Sequence, residues 1–229
     1  GDEVIVPAFT YVAAAEVVAL LGLIPVWVDV NPETFNINPN LIEGAISPRT
    51  KAIVAVHLFG QCCDMKPIMA VAEQYGLYVV EDNAQSMGSF YTFPDGTRKM
   101  AGTIGHIGTT SFFPSKPLAC YGDGGAMMTS DDRLAERMRM IASHGQQIKY
   151  HHKILGCNSR LDTLQAAVLR TKLPHLDEFN EARISVAKRY NASLGGNPMW
   201  EIPSVSSYST HVYHQYTLKV KEGMRDGLQ

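Results

Sequence analysis

Residues 111–125 read SFFPSKPLACYGDGG and place one lysine, Lys116, in a turn rich in glycine and other small residues. The apolar runs on either side, residues 107–113 and 126–129, predict buried strands. A lysine between two buried strands is unusual, because burying an ammonium group is costly unless the amine is used covalently. An amine held in this way is the type of group that forms a Schiff base with a carbonyl compound. The alternative is a surface hairpin whose lysine points to water.

The composition limits the classes of protein that the chain can belong to. It has 229 residues, of which 45% are hydrophobic and 18% charged, and its formal net charge is −2. This length suits one large domain, or one large domain and part of a small one. The near-neutral charge gives no reason to expect nucleic acid or an anionic membrane as a partner, and no apolar run is long enough to span a bilayer.

The cysteines indicate a reducing compartment. Cys62 and Cys63 are adjacent, which is a poor disulfide framework, and Cys120 and Cys157 complete the set without a CxxC spacing. We therefore predict a cytoplasmic protein. Because the cysteines and histidines show no ligand spacing, we predict no metal site.

Strand and helix patterns alternate through the first part of the chain. Apolar, β-branched runs predict strands, and the segments between them have helical periodicity: strands at 4–6, 25–30, 51–57 and 77–81, and helices at 12–21, 39–46 and 65–75. This alternation predicts an α/β fold, a three-layer mostly parallel sheet with helices on both faces. Right-handed crossovers then place the carboxyl ends of the strands along one edge, where ligands bind.

A boundary is predicted near residue 195. Helical patterns at 160–173 and 176–194 are followed by a Gly-Gly-Asn-Pro sequence at 195–198. We therefore predict a large domain over residues 1–195 and the start of a small C-terminal α+β domain over residues 196–229. Residues 213–220 alternate in polarity and predict a strand of that second domain.

Asp82 follows a predicted buried strand and lies on the ligand edge. A carboxylate there can pair with the protonated nitrogen of a pyridine ring, although a helix N-cap is an equally good explanation. Asp82 and Lys116, each at a strand end, form the combination that pyridoxal phosphate enzymes need. The lysine binds the aldehyde and the aspartate holds the ring nitrogen.

Six short motifs resemble those of the DegT-type nucleotide-sugar aminotransferases, which are fold type I pyridoxal phosphate enzymes. They match in the family's order: VPAFTY at 6–11, HLFGQ at 57–61, VEDNAQ at 80–85, SFFPSK at 111–116, GDGG at 122–125 and NSRLD at 158–162. The resemblance runs from Gly1 to Gln229. The chain departs from the family at Pro117-Leu118-Ala119, where the family usually has Asn and then Leu-Gly. The family also extends beyond both ends, so we expect a fragment.

The resemblance implies the chemical roles of three residues on the predicted ligand edge. Lys116 matches the Schiff-base lysine, which also acts as acid and base. Asp82 matches the partner of the pyridine nitrogen. Gln85 matches the residue beside the phenolic oxygen of the cofactor, whereas by its residue type alone it is a solvated turn amide.

Three further cofactor contacts are implied by the resemblance. Ser111 matches a phosphate ligand and Tyr11 matches the aromatic side chain that stacks on the ring. Asn158 matches a phosphate contact given by the neighbouring subunit, which implies a homodimer with shared active sites. The alternatives are a strand hydroxyl for Ser111, a core aromatic for Tyr11 and a helix N-cap for Asn158.

The implied function is transfer of an amino group, usually from glutamate in this family, to a keto group of a nucleotide-linked sugar for glycan or surface polysaccharide synthesis. One alternative is a pyridoxal phosphate-dependent sugar dehydratase of the same scaffold, which resembles this chain with histidine at the position of Lys116. The other is a non-catalytic, cofactor-binding or regulatory homologue. The histidines are ambiguous: His57 ends a strand near the site, and four others are structural or line the sugar pocket, namely His106, His144, His211 and His214.

Overall fold

The computed structural model describes residues 1–228. Its strands are β1 (Glu3–Pro7), β2 (Ile24–Val28), β3 (Thr50–Val56), β4 (Tyr78–Asp82), β5 (Phe90–Thr92), β6 (Arg98–Met100), β7 (Ile107–Ser111), β8 (Gly125–Met128), β9 (Gln146–Ile148), β10 (His151–His152), β11 (Trp200–Glu201) and β12 (Lys219–Val220). Its α-helices are α1 (Ala13–Leu20), α2 (Pro39–Ile42), α3 (Met65–Tyr75), α4 (Asp132–Ala142), α5 (Thr163–Lys172), α6 (Leu176–Leu194) and α7 (Arg225–Leu228). No helix within residues 1–228 is both long and apolar enough to cross a membrane.

The central sheet has the strand order β2-β1-β3-β4-β7-β8. All neighbouring pairs in it are parallel except β7 and β8, which are antiparallel. The predicted mostly parallel α/β sheet is therefore confirmed. Parallel pairing sends the carboxyl ends of β1, β3, β4 and β7 to the same edge.

β1 shows why the sheet needs helices on both faces. Successive side chains of a strand point to opposite faces. Val4 and Val6 pack with the α1 residues Ala15 and Val18 in one apolar cluster. Ile5, between them, belongs to the main core, which includes residues of α2 and α3. The strand is buried on both sides, as a parallel strand between two helical layers must be.

A buried hydrogen-bonded pair of side chains joins the ends of β3 and β4 beneath the ligand edge. His57 Nε2 lies 2.8 Å from Glu81 Oε2, and both side chains are fully buried. His57 Nδ1 accepts a hydrogen bond from the Cys63 N–H at 3.0 Å, so the proton of a neutral ring sits on Nε2 and is donated to Glu81. Backbone N–H groups of the loop before β7 also donate to this carboxylate, from Gly102, Ile104 and Gly105.

The first prediction concerns Glu81, whose pKa is below the ordinary value of 4.5. Burial by itself would raise this pKa, but the hydrogen bonds from His57, Gly105 and Gly102 outweigh burial. We expect Glu81→Gln to lower the free energy of unfolding by about 3 kcal/mol, because an amide nitrogen then faces buried N–H donors. Urea unfolding at pH 7 measures this loss.

The pH dependence of unfolding provides a second readout for Glu81. A carboxyl with a lowered folded-state pKa stabilises the fold above its unfolded pKa, and this contribution disappears as the pH falls from about 4.5 towards the folded value. The difference in the free energy of unfolding between wild type and Glu81→Gln should therefore become smaller in acid. The matched control is Glu178→Gln on the exposed face of α6, which should change stability by less than about 0.5 kcal/mol. Equal stability of wild type and Glu81→Gln at pH 7 would contradict the prediction.

The part of the chain after residue 195 returns to the large sheet domain. β11 and β12 pair antiparallel with each other. Between them, Ser209 bridges to Tyr91 and His211 bridges to Gln61. The strand predicted over 213–220 is wrong except at Lys219–Val220, because Tyr213 has a φ of 49°, which no strand adopts. The domain boundary at residue 195 stays a prediction.

Candidate active site

A cavity of about 610 Å³ opens at the carboxyl ends of the parallel strands. Its walls carry side chains from loops that are far apart in sequence. The sequence-predicted residues among them are Tyr11, Asp82, Gln85, Ser111 and Lys116. The other polar lining residues are Thr10, Thr109, Thr110, Ser115, Asp123, His214 and Gln215. The structure thus brings together every predicted site residue except Asn158, while their chemical roles stay predictions.

Lys116 lies in a turn that is anchored in the core. Cys120 N–H donates to the carbonyl of Phe112 at 2.8 Å, and the Lys116 N–H donates to the carbonyl of Phe113 at 2.9 Å. Phe112, Leu118 and Cys120 are buried in an apolar cluster with residues of α5 and α6. The turn is therefore not a free surface hairpin. The Lys116 side chain is partly buried, and within residues 1–228 its amine has neither a hydrogen bond nor an ion pair.

Glycine is required where this turn rejoins the sheet. A Cβ on Gly125 would lie 2.7 Å from the carbonyl oxygen of Thr110, which is closer than real Cβ contacts come. The absence of a side chain lets β8 approach β7 and close the turn. The glycine-rich end of the segment therefore holds Lys116 against the sheet edge.

Asp82 is the last residue of β4, and its position is fixed by backbone bonds on two sides. Its carbonyl accepts from the His57 N–H at 3.0 Å, and its Oδ1 accepts from the Ala84 N–H at 3.0 Å. No helix begins after Asp82, because residues 84–88 form turns, so the helix N-cap explanation does not hold. The carboxylate is partly buried and faces the same cavity as Lys116.

Gln85 is oriented by the turn that follows β3. Its Oε1 accepts a hydrogen bond from the Phe59 N–H at 2.6 Å. Phe59 has a φ of 61°, an uncommon conformation for a bulky residue, and this turns its N–H towards the amide. The network assigns the oxygen to Phe59 and leaves the NH₂ group as the donor that faces a ligand.

Ser111 and Tyr11 lie on other walls of the cavity. Ser111 ends β7, and its Oγ accepts from the Phe113 N–H at 3.2 Å, which leaves its proton available to a ligand. Tyr11 is 73% exposed, so it is not the core aromatic that was the alternative. Its ring offers a free face at the mouth of the cavity.

Asn158 lies outside this cavity on an exposed loop. Its Oδ1 accepts from Arg160 Nε at 2.8 Å, and its backbone bridges to Ser143. The helix predicted from residue 160 begins at Thr163 instead, with Asp162 at the N-cap position. Asn158 is therefore not a helix N-cap. Its side chain is exposed on the monomer surface and does not contribute to the cavity of its own chain.

The sequence profile of the DegT/DnrJ/EryC1/StrS aminotransferase family matches residues 1–229. The chain belongs to this family. The resemblance inferred from the motifs is confirmed over residues 1–229. The α/β fold of the DegT-type chain agrees with this family.

Individual relatives support the family assignment. UDP-2-acetamido-2-deoxy-3-oxo-D-glucuronate aminotransferase of Pseudomonas aeruginosa is 52% identical over 224 residues, which are 96% of this chain and 60% of that protein. A pleiotropic regulatory protein of Geobacillus stearothermophilus is 46% identical, over 100% of this chain and 60% of that protein. The crystal structure of S. venezuelae DesV in complex with a ketimine intermediate has a TM-score of 0.92 at 42% identity and covers 99% of this chain and 59% of that one. The DegT-type chain thus spans 60% of the length of these curated relatives.

Four of the five histidines that were ambiguous in the sequence do not line the cavity. His57 is the partner of Glu81, and the His106 Nδ1 accepts from the Val79 N–H at 2.9 Å. His144 and His211 do not line the cavity. Burial lowers the pKa of His211 to about 4.

His214 is a cavity residue that the motifs do not identify. It lines the wall near Lys116, and burial lowers its pKa to about 4, helped by the charges of Lys116 and Arg183. Thr10, Asp123 and Gln215 share this cavity and were not predicted as site residues. Thr10 and Asp123 lie inside recognisable motifs, whereas no periodicity places Gln215 over the site.

Proposed function

We propose that the chain is the cofactor-binding part of a pyridoxal phosphate-dependent sugar aminotransferase. The reaction is transfer of an amino group from glutamate to a keto group of a nucleotide-linked sugar. The observation that carries this proposal is the convergence of Lys116, Asp82 and Gln85 on one cavity of about 610 Å³. Family membership and the names of the relatives support it.

The groups in the cavity fit pyridoxal phosphate. Its volume lies in the range of ordinary ligand sites. The amine of Lys116, the carboxylate of Asp82 and the NH₂ of Gln85 are complementary to an aldehyde, a protonated ring nitrogen and a phenolate oxygen. The hydroxyl of Ser111 and the free face of Tyr11 suit a phosphate and an aromatic ring. When bound, the cofactor supplies an aldehyde that exchanges with amines and a ring that takes up an electron pair.

Lys116 carries the protons in this proposal. As a free amine, its Nζ takes the proton from the Cα of the amino donor, and in the second half of the cycle it returns a proton to the sugar carbon that receives the nitrogen. The anchored turn fixes the backbone from which the Lys116 side chain reaches the cavity. Asp82 holds positive charge on the ring nitrogen throughout, and the NH₂ of Gln85 donates to the phenolic oxygen.

A regulatory role is the second candidate, because one relative is named a pleiotropic regulatory protein. The two candidates differ in catalysis, because only the aminotransferase converts a keto sugar into an amino sugar. The dehydratase alternative is disfavoured by Lys116 itself, since the related dehydratases resemble this chain with histidine at that position.

The test of the proposed function uses the full chain with added pyridoxal phosphate. Visible absorbance reports covalent binding to a lysine. Glutamate and a panel of 3-keto and 4-keto sugars linked to UDP, dTDP or GDP are then supplied, and mass spectrometry detects amino sugars. We expect visible absorbance and one amino-sugar product. Absorbance without any product from the panel would favour the regulatory candidate, and absence of both would overturn the proposal.

Assembly and location extend the proposal. We propose a homodimer in which Asn158 of one subunit contacts the phosphate bound in the other, because its side chain is exposed and lies outside the cavity of its own chain. We also propose a cytoplasmic enzyme of glycan or surface polysaccharide synthesis. The cysteines support this location, since Cys62, Cys63 and Cys120 are buried as free thiols.

The second prediction concerns Asn158→Ala. We expect weaker binding of pyridoxal phosphate, by about tenfold, because a hydrogen bond to a charged phosphate contributes roughly 1.5 kcal/mol or more. Cofactor should stabilise the wild-type dimer, since a ligand favours the state that binds it. Sedimentation velocity with and without cofactor measures this linkage.

The matched control for assembly is Asn40→Ala on the exposed surface of α2, which should retain the wild-type cofactor affinity and dimerisation. In Asn158→Ala, cofactor affinity and cofactor-linked dimerisation should fall together. A wild-type monomer that binds cofactor as tightly as the dimer would refute the shared site.

A further inference from the structure

The segment 209–216, here called the returning segment, forms part of the cavity wall. It lies against the turn after β3 that orients Gln85. The Val212 N–H donates to the carbonyl of Gly60 at 2.8 Å, and the Gln215 N–H donates to the carbonyl of Phe59 at 3.2 Å. One turn therefore positions both Gln85 and the returning segment.

The contact between the turn and the returning segment is very close. Gly60 has a φ of 124°, and a Cβ there would lie 2.7 Å from the Tyr213 nitrogen and 3.0 Å from the His214 nitrogen. Tyr213 itself has a φ of 49°. Its ring stacks on His211, with ring centroids 4.0 Å apart. Uncommon backbone conformations of this kind persist where the surrounding structure enforces them, and they cluster at functional sites.

The result is an imidazole on the cavity wall beside the lysine. His214 is partly buried, and its ring makes no hydrogen bond within residues 1–228. Burial, together with the nearby charges of Lys116 and Arg183, lowers its pKa to about 4. Its ring is therefore neutral at neutral pH, with one N–H donor and one acceptor nitrogen.

We propose that His214 contacts the sugar ring of the nucleotide-linked substrate and helps to select the acceptor. This inference rests on the proposed function. The cofactor-binding groups of the cavity are already assigned, so an additional group beside Lys116 faces whatever reacts there. A neutral ring that both donates and accepts suits hydroxyl and carbonyl oxygens, whereas the carboxylates of an amino donor gain more from a cation.

The proposal separates the two halves of the reaction. Removing His214 should weaken the binding of the sugar part of the substrate but not the binding of the nucleotide attached to it. It should leave the rate of the reaction with glutamate unchanged. A residue with a purely structural role would affect both halves and the binding of cofactor.

The experiment compares His214→Ala and His214→Gln with the control His175→Gln, which lies on the exposed surface between α5 and α6. Calorimetric titration gives the Kd of the amino-sugar nucleotide and of the bare nucleoside diphosphate. We expect His214→Ala to raise the Kd of the amino-sugar nucleotide about tenfold and the Kd of the nucleoside diphosphate less than about twofold. The Gln variant should recover part of the loss, and visible absorbance and the rate with glutamate should stay at the wild-type level.

Several outcomes would overturn the inference. If the affinity for both ligands falls equally, His214 contacts the nucleotide or acts through the scaffold. If neither affinity falls, His214 does not contact the substrate. Loss of visible absorbance or of the rate with glutamate shows a wider structural role. If the wild type aminates keto sugars and the His214→Ala variant binds the amino-sugar nucleotide as tightly as the wild type does, this inference alone is wrong. If the wild type neither binds nor aminates any nucleotide sugar, the proposed function is wrong, and this inference with it.

Discussion

Lys116→Ala is expected to lose the visible absorbance that pyridoxal phosphate gives on covalent binding and to lower the rate of amino transfer by about 10³-fold or more. The variant lacks both the amine that holds the cofactor and the group that moves the proton. The protein should stay folded, because the Lys116 side chain makes no hydrogen bond or ion pair within residues 1–228. Absorbance spectra, single-turnover mixing with glutamate and urea unfolding measure the three quantities.

The control for Lys116→Ala is Lys99→Ala, which removes an exposed amine from β6, away from the cavity. It should retain absorbance, rate and stability. Peptide mapping after borohydride reduction identifies the modified lysine in the wild type. An active Lys116→Ala variant, or a covalent adduct on another lysine, would refute the assignment.

The fold was predictable because β1, inside the parallel part of the sheet, is buried on both faces. The middle of such a strand must be apolar, and Val4, Ile5 and Val6 satisfy this requirement without reference to the rest of the chain. Loops that follow such strands collect at one edge of a parallel sheet. That rule alone brings Asp82 and Lys116 to one cavity, although they come from different strands.

The finer orientation of the site could not be predicted from sequence. Gln85 presents its NH₂ group because Phe59 occupies a left-handed conformation and donates to the amide oxygen. Nothing in the local sequence indicates a positive φ at a phenylalanine. The orientation depends on the packing of two loops against each other, and periodicity does not report such contacts.

The returning segment shows the same limit. Alternating polarity predicted a strand over 213–220, but the close approach of Gly60 and the stacking of His211 on Tyr213 impose a turn at Tyr213. Tertiary contacts overrode the local pattern. For this reason His214 was one ambiguous histidine among several in the sequence, and its place beside Lys116 emerged from the three-dimensional structure.

Asp82→Asn is expected to slow both half-reactions by about 10²-fold while pyridoxal phosphate still binds. The asparagine can keep the bond from the Ala84 N–H through its own carbonyl oxygen, so the local backbone should not change. A neutral amide cannot stabilise positive charge on the ring nitrogen, and the loss of one preorganised electrostatic group typically costs this much in rate. Single-turnover mixing with glutamate, and then with a keto sugar nucleotide, measures each half-reaction.

A cofactor analogue separates the charge on the ring from the structure of the site. Pyridoxal phosphate methylated at the ring nitrogen carries a permanent positive charge, so it should restore part of the rate in Asp82→Asn but none in Lys116→Ala. The control Asp177→Asn, in the exposed first turn of α6, should behave as wild type with either cofactor. Wild-type rates in Asp82→Asn with the natural cofactor would show that Asp82 does not hold the ring nitrogen. Slow rates that the methylated cofactor leaves unchanged would instead indicate that Asp82 acts by positioning the loop that carries Gln85.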